Sequence, residues 1–231
     1  MLKKSGLLTV GCILAFSSDA STALPKPVQD YSLISVKLKE GDFNGSKALQ
    51  VSLPSNHWQD PNTDTLTDRN YMAWLPVNFH NGIIEVDLAS TLATGAPDYA
   101  RGFAGVSFRI QPDGSFENIY LRPTNSQSQD QVRRNHSVQY FAYPDFRFDR
   151  LRKEAPERYE TYADIKPGEW IHMKIVVTGQ HATLYLNNNP TPALMVNDLK
   201  LGSSAQGGVG IWIESGTVAW FKDLKITAAS E

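Results

Sequence analysis

Short runs of β-branched and aromatic residues, each closed by turn chemistry, recur along most of this 231-residue chain. Such runs build strands, and the spacing between them leaves little room for helices. Strands are expected near Tyr31–Leu38, Lys47–Leu53, Tyr71–Leu75, Gly82–Leu88, Gly102–Ile110 and Phe116–Arg122. Six more are expected near His136–Ala142, Arg158–Ala163, Glu169–Thr178, Ala182–Leu186, Gly208–Glu214 and Val218–Ile226. Several alternate with the period of two that puts successive side chains on opposite faces. Ile84, Val86 and Leu88 share one face, with Glu85 and Asp87 on the other. Val209, Ile211 and Ile213 point one way, and Trp212 and Glu214 the other. Turn residues sit between runs, as in Pro112-Asp113-Gly114-Ser115 and Asn187-Asn188-Asn189-Pro190. Only Phe146–Glu154, stopped by Pro156, reads as a short helix. The pattern predicts an all-β, two-sheet antiparallel jelly-roll sandwich. Its core is expected to hold Ile84, Val86, Val106, Phe108, Ile119, Leu121, Val176, Leu184, Val209, Ile211 and Ile213.

The N-terminus reads as an export signal. Lys3 and Lys4 precede the apolar run Leu7–Phe16, and small residues end in Ser21-Thr22-Ala23. Residues 1–23 are therefore expected to be removed, leaving one domain over 24–231 in the periplasm or outside the cell. A lipid-anchored alternative rests on Cys12, the only cysteine. Cleavage leaves a chain without thiols, whose stability comes from its core. No segment of that mature chain is long and apolar enough to span a bilayer. Without Lys3, Lys4 and Asp19, the 22 basic and 24 acidic residues become 20 and 23. That mildly acidic balance argues against nucleic acid as a partner.

The C-terminal third carries family words. Gly168-Glu169-Trp170 opens a strand, and Lys174-Ile175-Val176-Val177-Thr178-Gly179 turns into Ala182-Thr183-Leu184-Tyr185-Leu186-Asn187. Gly207-Gly208-Val209-Gly210-Ile211-Trp212 and Val218-Ala219-Trp220-Phe221-Lys222-Asp223-Leu224 close the chain. These resemble the closing strands of concanavalin A-like lectins and glucanases, including laminin G-like modules and the 3-keto-disaccharide hydrolase domain family. The segment Tyr120–Asn125 with Asp130–Tyr140 resembles a subgroup of exported bacterial proteins of that superfamily. The resemblance implies a jelly roll and a carbohydrate ligand. It supplies no catalytic residue to carry over, because this fold hosts lectins, hydrolases, lyases and adhesion modules.

The residues themselves offer several chemistries. Retaining family 16 glucanases place a nucleophile and an acid on one strand. Glu85-Val86-Asp87 opens such a pattern, but Ala89 and Ser90 stand where the second acid belongs, so an outward polar pair is the plainer reading. Glu214 beside Trp212 pairs a carboxylate with a ring that can cover a pyranose. The stretch Arg101–Arg158 holds nine of the ten arginines. There the alternation groups Asn118, Tyr120 and Arg122 on one face and places Arg109 in a row with Ser107 and Gly105. Guanidinium groups suit carboxylates or vicinal hydroxyls, which makes Arg109, Arg122, Arg133 and Arg134 ligand candidates. His136 and Tyr140, four apart, are expected on one strand face with Gln139 between them. His, Tyr, Gln and Arg are also the residue types that polysaccharide lyases use for proton transfer and uronate neutralisation. No histidine or cysteine cluster has metal spacing. Asp60, Asn62, Asp64 and Asp68 carry oxygen ligands suited to calcium, yet they read as a solvated turn, and no cofactor is expected. Three readings stay open: a carbohydrate-binding or carbohydrate-processing domain, a lyase or hydrolase working through Arg133–Tyr140, and a non-catalytic adhesion module.

Overall fold

The computed structural model describes residues 26–229, so the expected export signal, with Cys12, lies outside the described residues. Strands are numbered in chain order. One antiparallel sheet runs β1 (Ser32–Ile34), β4 (Met72–Phe79), β13 (Gly207–Ile213), β6 (Ala104–Ile110), β7 (Phe116–Leu121), β8 (Val138–Tyr143) and β9 (Glu160–Thr161). The other runs β12 (Leu194–Val196), β11 (His181–Leu186), β10 (Ile171–Thr178), β5 (Gly82–Leu92), β14 (Thr217–Ala228), β3 (Ser46–Ser52) and β2 (Lys37–Phe43). This is the expected two-sheet sandwich. The Tyr31–Leu38 run divides into β1 and β2, which join different sheets, and β12 carries too few residues to announce itself.

The inner faces meet in one apolar core. Val106, Phe108, Ile119, Leu121, Val209, Ile211 and Ile213 come from the first sheet, with Ile84, Val86, Leu88 and Leu184 from the second, all buried. Val176 departs from expectation and is half-buried on the outer face. In β10 the inward set is Ile171, Met173, Ile175 and Val177, so the alternation turns Val176 outward.

The outer face of the first sheet positions the site. Trp212 pairs with Met72 and Gly105, Gly105 with Tyr120, and Tyr120 with Gln139, so these residues share that face. It is not open to solvent. Two roof segments cover it: the stretch before β4, and the helices flanking β8, with α1 (Pro123–Ser126) and α2 (Gln131–Asn135) before that strand and α3 (Phe148–Glu154) after it. Thr67 Oγ1 donates to Asp149 Oδ1 at 2.7 Å, and Phe148 N donates to Asp68 Oδ2 at 2.8 Å, which joins the two roof segments. The helix expected near Phe146–Glu154 is α3, whereas α1 and α2 are too short for a helical period to show in sequence. Beneath the roof, a Cβ on Gly105 would meet Ile119 O at 2.3 Å and Tyr120 Cα at 2.5 Å. Only glycine lets β7 approach so closely and brings the Tyr120 and Trp212 rings to 4.7 Å between centroids.

Candidate functional site

Between the sheet and its roof lies a cavity of about 250 Å³. The sheet contributes Tyr120 with the flanking Phe103, Arg122 and Glu214, and the roof contributes Asp68, Asn125, Arg133, His136, Phe148 and Arg152. Arg101 lines it from the loop before β6.

The cavity is built around buried polar groups. Tyr120 OH donates to Asp68 Oδ1 at 2.9 Å, and Arg122 donates in turn to the Tyr120 oxygen. The Arg122 guanidinium packs over the rings of Tyr120, Phe148 and Phe103, at 4.9, 5.1 and 5.9 Å from their centroids. Its Nε is buried without a hydrogen-bond partner, as are Arg133 Nε and Asn125 Oδ1. Glu214 accepts from Arg69 N at 2.9 Å and from Ser215 N and Oγ at 2.7 and 2.8 Å. His136 caps the end of α2, with Nε2 3.2 Å from Glu160 Oε1. Arg152 grips Glu160 with Nε and Nη2, the latter at 2.6 Å, so this carboxylate is fixed from behind.

Burial sets the proton affinities. It pushes Asp68 up to about 6 and Glu214 up to about 7, against the donors that favour their ionised forms. Burial also lowers His136; Arg152 and Arg122 act in the same direction, and Glu160 against it. The imidazole is therefore neutral at neutral pH. Because both carboxyls are raised, each stabilises the fold below the ordinary carboxylate range. That contribution is lost as pH climbs through about 6 for Asp68 and about 7 for Glu214. The loss amounts to about 3 kcal/mol per group. Urea unfolding of the wild type, Asp68→Asn and Glu214→Gln at pH 4 and pH 8 checks this. Each variant's stability should rise relative to wild type by about 2–3 kcal/mol between the two. An unchanged difference would mean that the carboxyls ionise normally.

Of the sugar-binding and catalytic candidates named from sequence, Tyr120, Arg122, Arg133, His136 and Glu214 meet in this cavity. The others do not. Trp212 is fully buried behind Tyr120, against Phe141 at 5.4 Å, and its Nε1 donates to Arg69 O at 2.8 Å. It is part of the packing under the roof rather than a sugar platform. Tyr140 lies on the inter-sheet face, where its OH donates to buried Glu117, because β8 begins at Val138 and His136 is not on a strand at all. Gln139 is buried, with Nε2 donating to Tyr140 O at 2.8 Å. Asn118 donates to Ser107 Oγ at 2.8 Å below the layer. Arg109 leaves the expected row because its backbone takes φ 54°, beside an irregular register between β6 and β13. Its guanidinium ties together His80 O, Gly179 O and Gly202 O. Arg134 stacks on Tyr162 and donates to its OH at 3.0 Å. Glu85 sits on the outer face of the other sheet, with Asp87 and His172, as the plainer reading had it. Within the Asp60–Asp68 loop, Asp60 and Asp64 accept from local backbone amides, and Asp68 alone reaches the cavity. Asp68, Arg101, Arg152 and Glu160 are not among the sugar-binding or catalytic candidates that the sequence offers. They sit on loops, a short helix and a two-residue strand, where no periodicity shows which way they face.

Among solved structures, the fold is similar to a galectin-like protein of unknown function from Bacillus subtilis. That match has 13% identity and a TM-score of 0.54, and covers 85% of this chain and 88% of the other. The carbohydrate-binding module CBM66 from Bacillus subtilis has 14% identity and a TM-score of 0.49, over 84% and 95% of the chains. Sheep galectin-11 has 10% identity and a TM-score of 0.42, over 66% and 94%. Likeness at such identity speaks to fold alone. No curated protein matches the chain. The family model of the 3-keto-alpha-glucoside-1,2-lyase-like domain matches residues 42–227, most of the two sheets and all of the cavity, and the chain belongs to that family.

Proposed function

We propose that this chain is an exported carbohydrate-processing domain that eliminates the glycosidic group from a 3-keto sugar in the Asp68–His136–Glu214 cavity. One observation supports this above others: two raised carboxyls and a neutral imidazole gather with arginines in one half-closed cavity. Above pH 7, where both carboxyls ionise, such an arrangement adds nothing to the fold's stability, and matched proton donors and acceptors are what proton-transfer chemistry needs. The family name adds the reaction type, a lyase acting between C1 and C2 of a 3-keto-α-glucoside. The leader sequence from Lys3 to Ala23 supports export.

In such a substrate the C3 carbonyl acidifies the C2 proton. A base removes it, and the C–H electron pair becomes the C1–C2 double bond. The C1–O bond breaks, its electrons leave with the glycosidic oxygen, and that oxygen takes up a proton. His136, neutral and backed by Glu160, is the base. Arg122 and the Tyr120 hydroxyl steady the charge that grows on the C3 oxygen. The raised carboxyls Asp68 and Glu214 hold a proton at higher pH than ordinary acids and supply that proton to the leaving glycosidic oxygen.

Incubation with an aryl 3-keto-α-glucoside tests the reading. The expected result is release of the phenol together with an ultraviolet-absorbing conjugated enone. Release of phenol with a free reducing 3-keto sugar and no enone would make the reaction a hydrolysis. Release of neither would defeat the proposal.

A further inference from the structure

We infer that the sugar this cavity takes is an acidic one, carrying a carboxylate that Arg101 and Arg133 receive. The inference deepens the proposed function and rests on it for the identity of the site.

The charges in the cavity are not paired off. Arg152 has its carboxylate, Glu160. Among the described residues, no carboxylate lies within 4 Å of the guanidinium groups of Arg101, Arg122 or Arg133, although Asp68 and Glu214 line the same space. Those two carboxylates are occupied by Tyr120, Phe148 N, Arg69 N and Ser215. Arg101 donates only to the backbone carbonyls of Asp98 and Ala100. Arg122 donates only to the Tyr120 hydroxyl. The Nε atoms of Arg122 and Arg133 are buried with no acceptor, and Arg122 itself is only 5% exposed. Arg101 is depressed first by burial and then by Arg133 and Arg122, which places the three like charges in one another's field.

A protein interior gives each buried guanidinium an acceptor, because an orphaned charged donor keeps its desolvation penalty. Three arginines crowded together, with acids held nearby but turned to other partners, form the donor set that an anion needs. The charge count fits a monoanion. Four arginines face Asp68, Glu214 and the adjoining Glu160, and His136 is neutral, so about one positive charge is left when both cavity carboxyls are ionised. The enolate-like charge of the reaction is transient and sits at one oxygen. Tyr120 and Arg122 serve it, which leaves Arg101 and Arg133 for the ground-state anion. Asn125, whose Oδ1 is also unpartnered, offers an acceptor for a neighbouring sugar hydroxyl.

The test uses the full mature chain and an unreactive, non-oxidised series in titration calorimetry: an α-linked glucose disaccharide, the same disaccharide with a carboxylate on either ring, and the same with a phosphate on either ring. One carboxylated member is expected to bind about 10–100-fold more tightly than the neutral parent. Arg101→Gln and Arg133→Gln, both at half-exposed positions, should each remove most of that preference without moving the unfolding transition. Equal binding of neutral and carboxylated members would overturn the inference, and so would a preference for the phosphorylated members. So would a carboxylate preference that survives both substitutions. The enone assay with a neutral 3-keto-α-glucoside runs alongside. Turnover without an acid preference removes only the substrate class. An acid preference without turnover removes only the proposed reaction.

Discussion

Trp212→Ala is expected to lower the unfolding free energy by about 3–5 kcal/mol, the range for emptying a buried Trp or Phe site. The indole is fully buried, with the Tyr120 and Phe141 rings 4.7 and 5.4 Å from its own. It also holds the roof. Its Nε1 donates to Arg69 O, while Arg69 N donates to Glu214, so one backbone unit is clamped from both sides just after Asp68. Truncation leaves a cavity and an unpaired carbonyl together, and the 59–69 segment loses its anchor on the sheet. Urea unfolding followed by circular dichroism measures the effect. A sugar-stacking platform behaves in the opposite way, losing affinity while the fold stays as stable as before. Wild-type stability in Trp212→Ala would therefore return the indole to the ligand surface.

That contrast shows where sequence reading succeeds and where it stops. Period-two alternation reports which residues share a face, grouping Trp212 with Glu214 and Tyr120 with Arg122, and the register puts Trp212 and Tyr120 on the same face. It also picked out the inward rows of β5, β6, β7 and β13. Alternation does not report what covers a face. A row of aromatic and polar residues under a polar roof reads the same as a row open to solvent, so Trp212 looked like a platform. Local departures from the strand period account for the other losses. The left-handed backbone at Arg109 turned its side chain out of its row, and the end of α2 took His136 off the strand that carries Tyr140. Val176 fell outward because two adjacent valines in β10 must take opposite faces. Asp68 and Arg152 reach the cavity, the latter paired with the adjoining Glu160, through tertiary placement of the roof, and no pattern along the chain encodes that.

His136→Gln is expected to lower kcat on a 3-keto-α-glucoside by about 10²–10⁴-fold with little change in KM, the usual contribution of a positioned acid–base group. The imidazole meets the requirements of a base at neutral pH. Burial lowers its proton affinity below the ordinary 6.5, so the neutral form is ready. The Glu160 carboxylate, 3.2 Å from Nε2, favours the tautomer with the proton on that nitrogen and leaves the lone pair on Nδ1. The same carboxylate stabilises the imidazolium once the proton has moved. The pH profile separates this role from a structural one. In the wild type kcat/KM is expected to rise through a value below 6.5 as His136 loses its proton, then to fall over about 6 to 7 as Asp68 and Glu214 ionise. His136→Gln should lose the rising limb and keep the falling one. Glu160→Gln removes the group that raises His136, so its rising limb should shift to lower pH while kcat drops. A rising limb that persists unchanged in His136→Gln would move the base to another residue of the cavity. Asp68, at about 6, would then be the group whose ionisation starts the reaction.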